Sequence, residues 1–167
     1  MRNGRFILVY VILTVVQIIL ANFFGLSRYL LISVLPVLIL MLPKDMGAVV
    51  SMLVAFATGF AVDFFSTGLL GITPLALVPV ALMRRPLAGL VFGDDQAFRK
   101  DELTLARMGI IKLTLAVVIA CTVFFIIYIW VDSAGTVGFW TAALRILLSV
   151  VVSTPVCIFV SGLLRPE

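Results

Sequence analysis

Long apolar runs alternate with short polar or charged breaks along the whole chain. Runs that approach 20 residues are typical of helices that cross a bilayer, because about 20 helical residues span its hydrocarbon core. The breaks, where Gly, Pro and charged residues collect, predict six transmembrane helices at about 6–24, 29–43, 46–66, 72–92, 108–131 and 139–164. The predicted fold class is an all-α integral membrane protein, a six-helix bundle forming a single domain over residues 1–167.

The segment at 29–43 decides the topology, because it is short and contains Pro36. If it fails to cross, every later segment is inverted. With six crossings and a cytoplasmic N-terminus, ten of the twelve basic residues lie in the cytoplasm, and only Arg28 and Arg145 lie outside. Five crossings would split the basic residues between the two sides. Insertion places Lys and Arg inside, so we predict six crossings, both termini cytoplasmic and a cytoplasmic loop at 93–107.

Composition supports residence in lipid. Hydrophobic residues make up 63% of the chain and charged residues 12%, against roughly 45–50% and 25% in soluble domains. The net charge of +4 comes from basic residues scattered at the segment ends, without a basic stripe. We therefore expect no nucleic-acid partner.

Catalytic groups are scarce in the sequence. The chain has no His, which is the commonest metal ligand and the commonest general base near neutral pH. Cys121 and Cys157 lie within apolar runs, where thiols behave as small hydrophobic groups, so we expect neither a disulfide nor a metal site. The paired-carboxylate motif of metal-dependent phosphotransferases, HExxH, a Ser/His set and a Walker A loop are all absent, so we predict no enzymatic activity and no cofactor. In an enzyme or lipid-handling protein, Asp63 would be the only plausible acid or base.

Two helices carry small or polar residues at every fourth position. The stripe in the third helix is Gly47, Ser51, Ala55, Gly59 and Asp63, and that in the sixth is Arg145, Ser149, Ser153, Cys157 and Ser161. Small residues in such stripes allow close approach of helix backbones. We therefore expect the third and sixth helices to pack together.

Asp63 and Arg145 are charged residues predicted at membrane depth, where an unpaired charge is costly. One hypothesis is that they form an ion pair where the third and sixth helices meet. The alternative is that Asp63 caps the fourth helix or contacts the turn at 66–68, while Arg145 extends to water.

The stretch from Ala57 to Leu77 resembles the signature region of the rod shape-determining protein MreD family. In that family a Gly-x-x-x-Asp pair ends one span, a small polar turn follows, and Leu-Gly opens the next span. The matching positions are Gly59, Asp63, Ser66, Gly68, Leu70 and Gly71. The chain departs from the family pattern at Arg84, Arg85 and Pro86, which interrupt the fourth span early.

This resemblance implies a non-enzymatic inner-membrane subunit of the bacterial elongation machinery. Such a subunit would associate with MreC, and through it with MreB filaments and the peptidoglycan synthases of the lateral wall. The family also implies a fold similar to the substrate-binding components of energy-coupling factor transporters. A substrate-binding membrane component of a vitamin-type transporter is therefore the alternative function.

Overall fold

The computed structural model describes residues 2–24, 31–42, 46–66, 70–92, 110–133 and 138–163. Across these ranges the chain is helical apart from short connecting stretches, and no strand occurs within them. The helices are α1 (Arg2–Phe24), α2 (Leu35–Leu40), α3 (Ala48–Phe65), α4 (Ile72–Phe92), α5 (Ile110–Ser133) and α6 (Phe139–Leu163). The cytoplasmic loop expected at 93–107 lies outside the described residues.

Four of these helices are long and apolar enough to cross a membrane. The stretches are Phe6–Phe23, Ala48–Phe65, Thr114–Ser133 and Trp140–Gly162, with hydropathies between 2.0 and 2.6. They belong to α1, α3, α5 and α6. The predicted all-α membrane architecture is confirmed at this level.

The predicted second helix differs most from the structure. Residues 31–34 are not helical, and only Leu35–Leu40 forms a helix, so a continuous helix over 29–43 is wrong. Pro36 lies in the first turn of α2, where its fixed backbone angle suits a helix start. Pro36 has no N–H to bond the carbonyl of Ile32, and its ring would clash with that carbonyl in a continuous helix, so the helix does not extend towards the N-terminus. All residues from Ser33 to Ile39 are buried.

The segment 31–42 nevertheless runs along the bundle from one end towards the other. The side-chain amide of Asn22, near the end of α1, donates to the carbonyl of Phe65, the last residue of α3, at 3.3 Å. Tyr10 and Thr58 form a second hydrogen bond further back along the same two helices, at 2.8 Å. Helices α1 and α3 are therefore parallel. A return along the bundle is therefore required between them, and α2, in the described segment 31–42, contacts all five other helices.

Neighbouring long helices pack in chain order: α3 against α4, α4 against α5, and α5 against α6. The α2 segment lies centrally and contacts all five other helices. Within the described parts of the chain, α3 and α6 make no contact. The expected packing of the third helix on the sixth is therefore wrong, because α4, α5 and the 31–42 segment occupy the centre.

Gly59 lies where α3 meets the start of α4, and this close approach generates a stability prediction. A Cβ atom at Gly59 would lie 2.6 Å from the backbone nitrogen of Pro74, which cannot move aside as a flexible side chain could. Gly59→Ala is expected to lower the unfolding free energy by about 1–3 kcal/mol through overpacking. Denaturant titration in detergent micelles measures this change.

The matched control is Gly162→Ala in α6, where an added Cβ meets nothing within 4 Å. That variant should be at least as stable as the wild type, because Ala favours helices more than Gly does. Equal stability of Gly59→Ala and Gly162→Ala would contradict the steric argument.

Candidate functional site

Asp63, in the last turn of α3, is fully buried and binds the first residues of α4. Its Oδ2 accepts hydrogen bonds from the backbone amides of Gly71 at 2.9 Å and Thr73 at 3.0 Å. The first amides of a helix lack partners within the helix and favour a negative group beside them. Asp63 thus caps α4 from another helix. Its Oδ1 has no hydrogen-bond partner among the described residues.

The described family-motif residues lie at the corner between α3 and α4, around this cap. Gly59 leaves room for Pro74, and Gly71 has a φ of 106°, a left-handed conformation that favours glycine. The Ser66 hydroxyl donates to the carbonyl of Val62 at 2.5 Å, within the final turn of α3. Gly68 lies outside the described residues. The motif shapes the connection between α3 and α4.

The hypothesis of an Asp63–Arg145 ion pair is wrong. Nη2 of Arg145 lies 3.7 Å from Oδ2 of Asp132 at the end of α5, while Asp63 faces α4. The physical reason is the helix order, since α3 and α6 are not neighbours in the described structure. The alternative, that Asp63 caps the fourth helix, is confirmed. The Arg145–Asp132 pair is partly exposed, so its contribution to stability is small.

The stripe on α6 faces the non-helical residues 31–34 and forms hydrogen bonds with their backbone. The expected partner, α3, lies elsewhere in the bundle. The Ser149 hydroxyl accepts a hydrogen bond from the backbone amide of Leu31 at 3.2 Å. The Ser153 hydroxyl accepts one from the backbone amide of Ser33 at 3.3 Å. The Ser153 hydroxyl also donates to the Leu31 carbonyl at 3.5 Å. The Cys157 thiol donates to the Ser33 carbonyl at 3.5 Å. Ser161, the last stripe residue, bonds within its own helix, to the Ile158 carbonyl at 2.6 Å.

Gln17 of α1 completes the contacts to this segment from the opposite side. Its Oε1 accepts the Val34 amide at 2.8 Å, and its Nε2 donates to the Ile32 carbonyl at 3.2 Å. Gln17 is buried, with 3% of its surface exposed. Sequence analysis missed it, although an isolated amide side chain in an apolar helix is a signal for a buried polar contact.

Arg84 of α4 makes a second polar contact that sequence analysis missed. Its guanidinium donates to the Ser51 hydroxyl of α3 at 3.1 Å and to the backbone carbonyl of Leu42. Leu42 lies two residues beyond the end of α2, and this bond gives its carbonyl a partner within the bundle. Ser51, expected as a small packing residue, is therefore a hydrogen-bond acceptor for Arg84.

The described polar groups serve mainly as internal hydrogen-bond partners. Among the described residues no cluster of three or more His, Cys, Asp or Glu side chains could hold a metal ion. Cys121 and Cys157 are buried free thiols whose sulfur atoms lie 3.9 Å apart. A small, open crevice between α4 and α5 has an apolar lining.

Comparisons with protein-family models, with curated proteins and with solved structures gave no match. The class of the protein follows from its helices: it is an all-α membrane protein.

The Asp63 cap generates a paired prediction. Asp63→Ala removes the acceptor of two backbone amides and is expected to lower the unfolding free energy by about 1–2 kcal/mol, the usual cost of losing a helix cap. Asp63→Asn keeps a side-chain oxygen and is expected to retain most of the stability. Denaturant titration in micelles compares the three proteins. Equal losses for Ala and Asn would show that the cap depends on the charge more than on the hydrogen bonds.

The contacts of Gln17 generate a second prediction. Gln17→Leu keeps a similar volume but leaves the Val34 amide and the Ile32 carbonyl without their partner. We expect the unfolding free energy to fall by about 2 kcal/mol. Hydrogen–deuterium exchange at Val34 should accelerate in parallel. The control is Thr14→Val on the same helix, because the Thr14 hydroxyl only bonds a carbonyl of its own helix. Unchanged exchange at Val34 in Gln17→Leu would refute the role of Gln17.

Proposed function

We propose that this protein is a non-enzymatic inner-membrane subunit of the bacterial cell-elongation machinery, similar to the MreD family. In this role it associates with MreC and helps to organise lateral peptidoglycan synthesis together with MreB and the synthases. The observation that carries the proposal is the α3–α4 corner. Of the motif residues that resemble the family, Gly59, Asp63 and Gly71 lie together there, around the Asp63 cap.

The chemistry of this corner suits a scaffold. Oδ2 of Asp63 is occupied by two backbone amides, and the carboxyl group is fully buried. A catalytic acid or base needs access to a substrate proton at hydrogen-bond distance. Asp63 therefore supports the shape of the bundle in this proposal and takes no part in a reaction.

The arrangement of the helices supports six crossings. Since α1 and α3 are parallel, a return crossing is required between them, although only six residues of the described segment 31–42 are helical. Non-helical backbone at membrane depth is tolerated where protein covers it, and here Ser33 and Val34 are buried while Leu31 and Ile32 are partly buried. With the bias of basic residues, six crossings place both termini in the cytoplasm.

The transporter alternative gains no specific support. A substrate-binding component needs a pocket with a few polar groups aimed into it. The buried polar side chains described above bond to the backbone or to each other, and the crevice between α4 and α5 is apolar.

Depletion of the protein in its bacterium of origin tests the proposal. We expect rod-shaped cells to become round and lateral wall synthesis to lose its order, and MreC to co-purify with the tagged protein from native membranes. Wild type and Asp132→Asn should restore shape, the latter because its ion pair is partly exposed. Gly59→Leu, which obstructs the α3–α4 corner, should fail to do so. Normal shape together with unaltered wall synthesis after depletion would refute the proposal.

A further inference from the structure

Cys121 of α5 and Cys157 of α6 face each other inside the bundle. Their sulfur atoms lie 3.9 Å apart, and both side chains are fully buried in the apolar core. Both are free thiols in this structure. The sequence contains no other cysteine, so each thiol has the other as its single thiol partner within the chain.

The two thiols need only a small movement to form a covalent link. A disulfide places its sulfur atoms about 2.05 Å apart. Starting from 3.9 Å, the two atoms must therefore approach each other by roughly 1.9 Å. Helices α5 and α6 pack directly against each other. Rotation about the Cα–Cβ bond of each cysteine moves its sulfur atom, so the approach is shared between two flexible side chains.

Burial decides which oxidants reach this pair. Polar oxidants act on the charged thiolate, and an apolar setting disfavours that form. A charged, water-soluble disulfide such as oxidised glutathione is therefore a poor oxidant for these thiols. A small apolar oxidant dissolves in the same surroundings as the two side chains, and the apolar core admits it where it excludes a charged one.

The Cys157 thiol also holds the central segment of the bundle. It donates its hydrogen to the backbone carbonyl of Ser33 at 3.5 Å. A sulfur atom in a disulfide carries no hydrogen, so oxidation removes this donor. The amide of Ser33 keeps its bond to the Ser153 hydroxyl. Oxidation of Cys157 would thus remove one of the two bonds that fix Ser33 to α6.

We propose that Cys121 and Cys157 form a disulfide between α5 and α6 when they meet a small apolar two-electron oxidant, such as a quinone or molecular iodine. Two S–H bonds break and one S–S bond forms, while two electrons and two protons pass to the oxidant. A quinone leaves as the hydroquinone, and iodine leaves as two molecules of hydrogen iodide. The reduced pair holds Ser33, and the oxidised pair releases it. This site is separate from any role in cell elongation.

Intact-mass spectrometry of the full chain in micelles tests the link, with one equivalent of iodine as the oxidant. We expect a loss of about 2 Da, the two hydrogens of the thiols, which a phosphine reductant reverses. After unfolding, the oxidised chain should take up no N-ethylmaleimide. Cys121→Ser and Cys157→Ser each retain one thiol and should not show this loss of mass. Oxidised glutathione should link the pair about tenfold more slowly than iodine does.

Three results would overturn the proposed link. The first is uptake of two maleimides by the iodine-treated wild type, which would show that the thiols do not react with each other. The second is a covalent dimer, which would place the link between chains. The third is addition of oxygen to the sulfur atoms in place of the loss of hydrogen.

Hydrogen–deuterium exchange tests the effect on the central segment. We expect the amides of Ser33 and Val34 to exchange several-fold faster in the linked protein than in the reduced protein. The matched control is iodine-treated Cys157→Ser, because the serine hydroxyl still supplies a donor for the Ser33 carbonyl and forms no disulfide. Exchange there should be the same before and after treatment. Unchanged exchange in the fully linked wild type would overturn the release of Ser33.

Discussion

The backbone of residues 31–34 leaves helical conformation inside an apolar bundle, and its polar groups must find partners there. In a helix these groups bond within the segment, whereas here the partners come from other helices. The carbonyls of Leu31, Ile32 and Ser33 are bound by side chains, and that of Val34 by the Leu38 amide. An unsatisfied backbone group in hydrocarbon costs several kcal/mol. This requirement fixes the relative positions of α1, α6 and the segment between them.

Two charged side chains perform a similar task at other helix ends. Asp63 binds the free amides at the start of α4, and Arg84 binds a free carbonyl after α2. Each charge has the sign that a helix end prefers: negative at the amide end and positive at the carbonyl end. Each side chain also joins different helices. The cost of placing a charge at membrane depth is thereby offset by bonds that join separate parts of the bundle.

Sequence patterns predicted the long helices because the length and apolarity of a run are local properties. The predicted span at 72–92 coincides with α4, and that at 46–66 differs from α3 by two residues at the start and one at the end. The stripe on α6 was recognised, but its partner was not. A row of small hydroxyl and thiol groups fits a neighbouring helix or an extended backbone equally well. Only the helical break before Pro36, together with the lone Gln17, could have indicated the extended segment.

The choice between Arg145 and the start of α4 as the partner of Asp63 could not be made from the sequence. Opposite charges in two stripes suggest a pair, but a pair requires that the two helices be neighbours, which depends on the path of the whole chain. The capping alternative needed only the local sequence between α3 and α4. Local geometry prevailed, because the amides of Gly71 and Thr73 follow Asp63 by only 8 and 10 residues in the chain.

Helix α1 shows how polar contacts hold a peripheral helix in this bundle. Only 11% of its apolar stretch is buried, and its contacts with α2 and α3 are few. Lipid is as apolar as leucine, so burial of aliphatic side chains gives little drive for α1 to associate. Its bonds through Tyr10, Gln17 and Asn22 instead fix it to α3 and to the 31–34 segment. Since Gln17 also satisfies that segment, the attachment of α1 and the stability of the central chain depend on the same side chain.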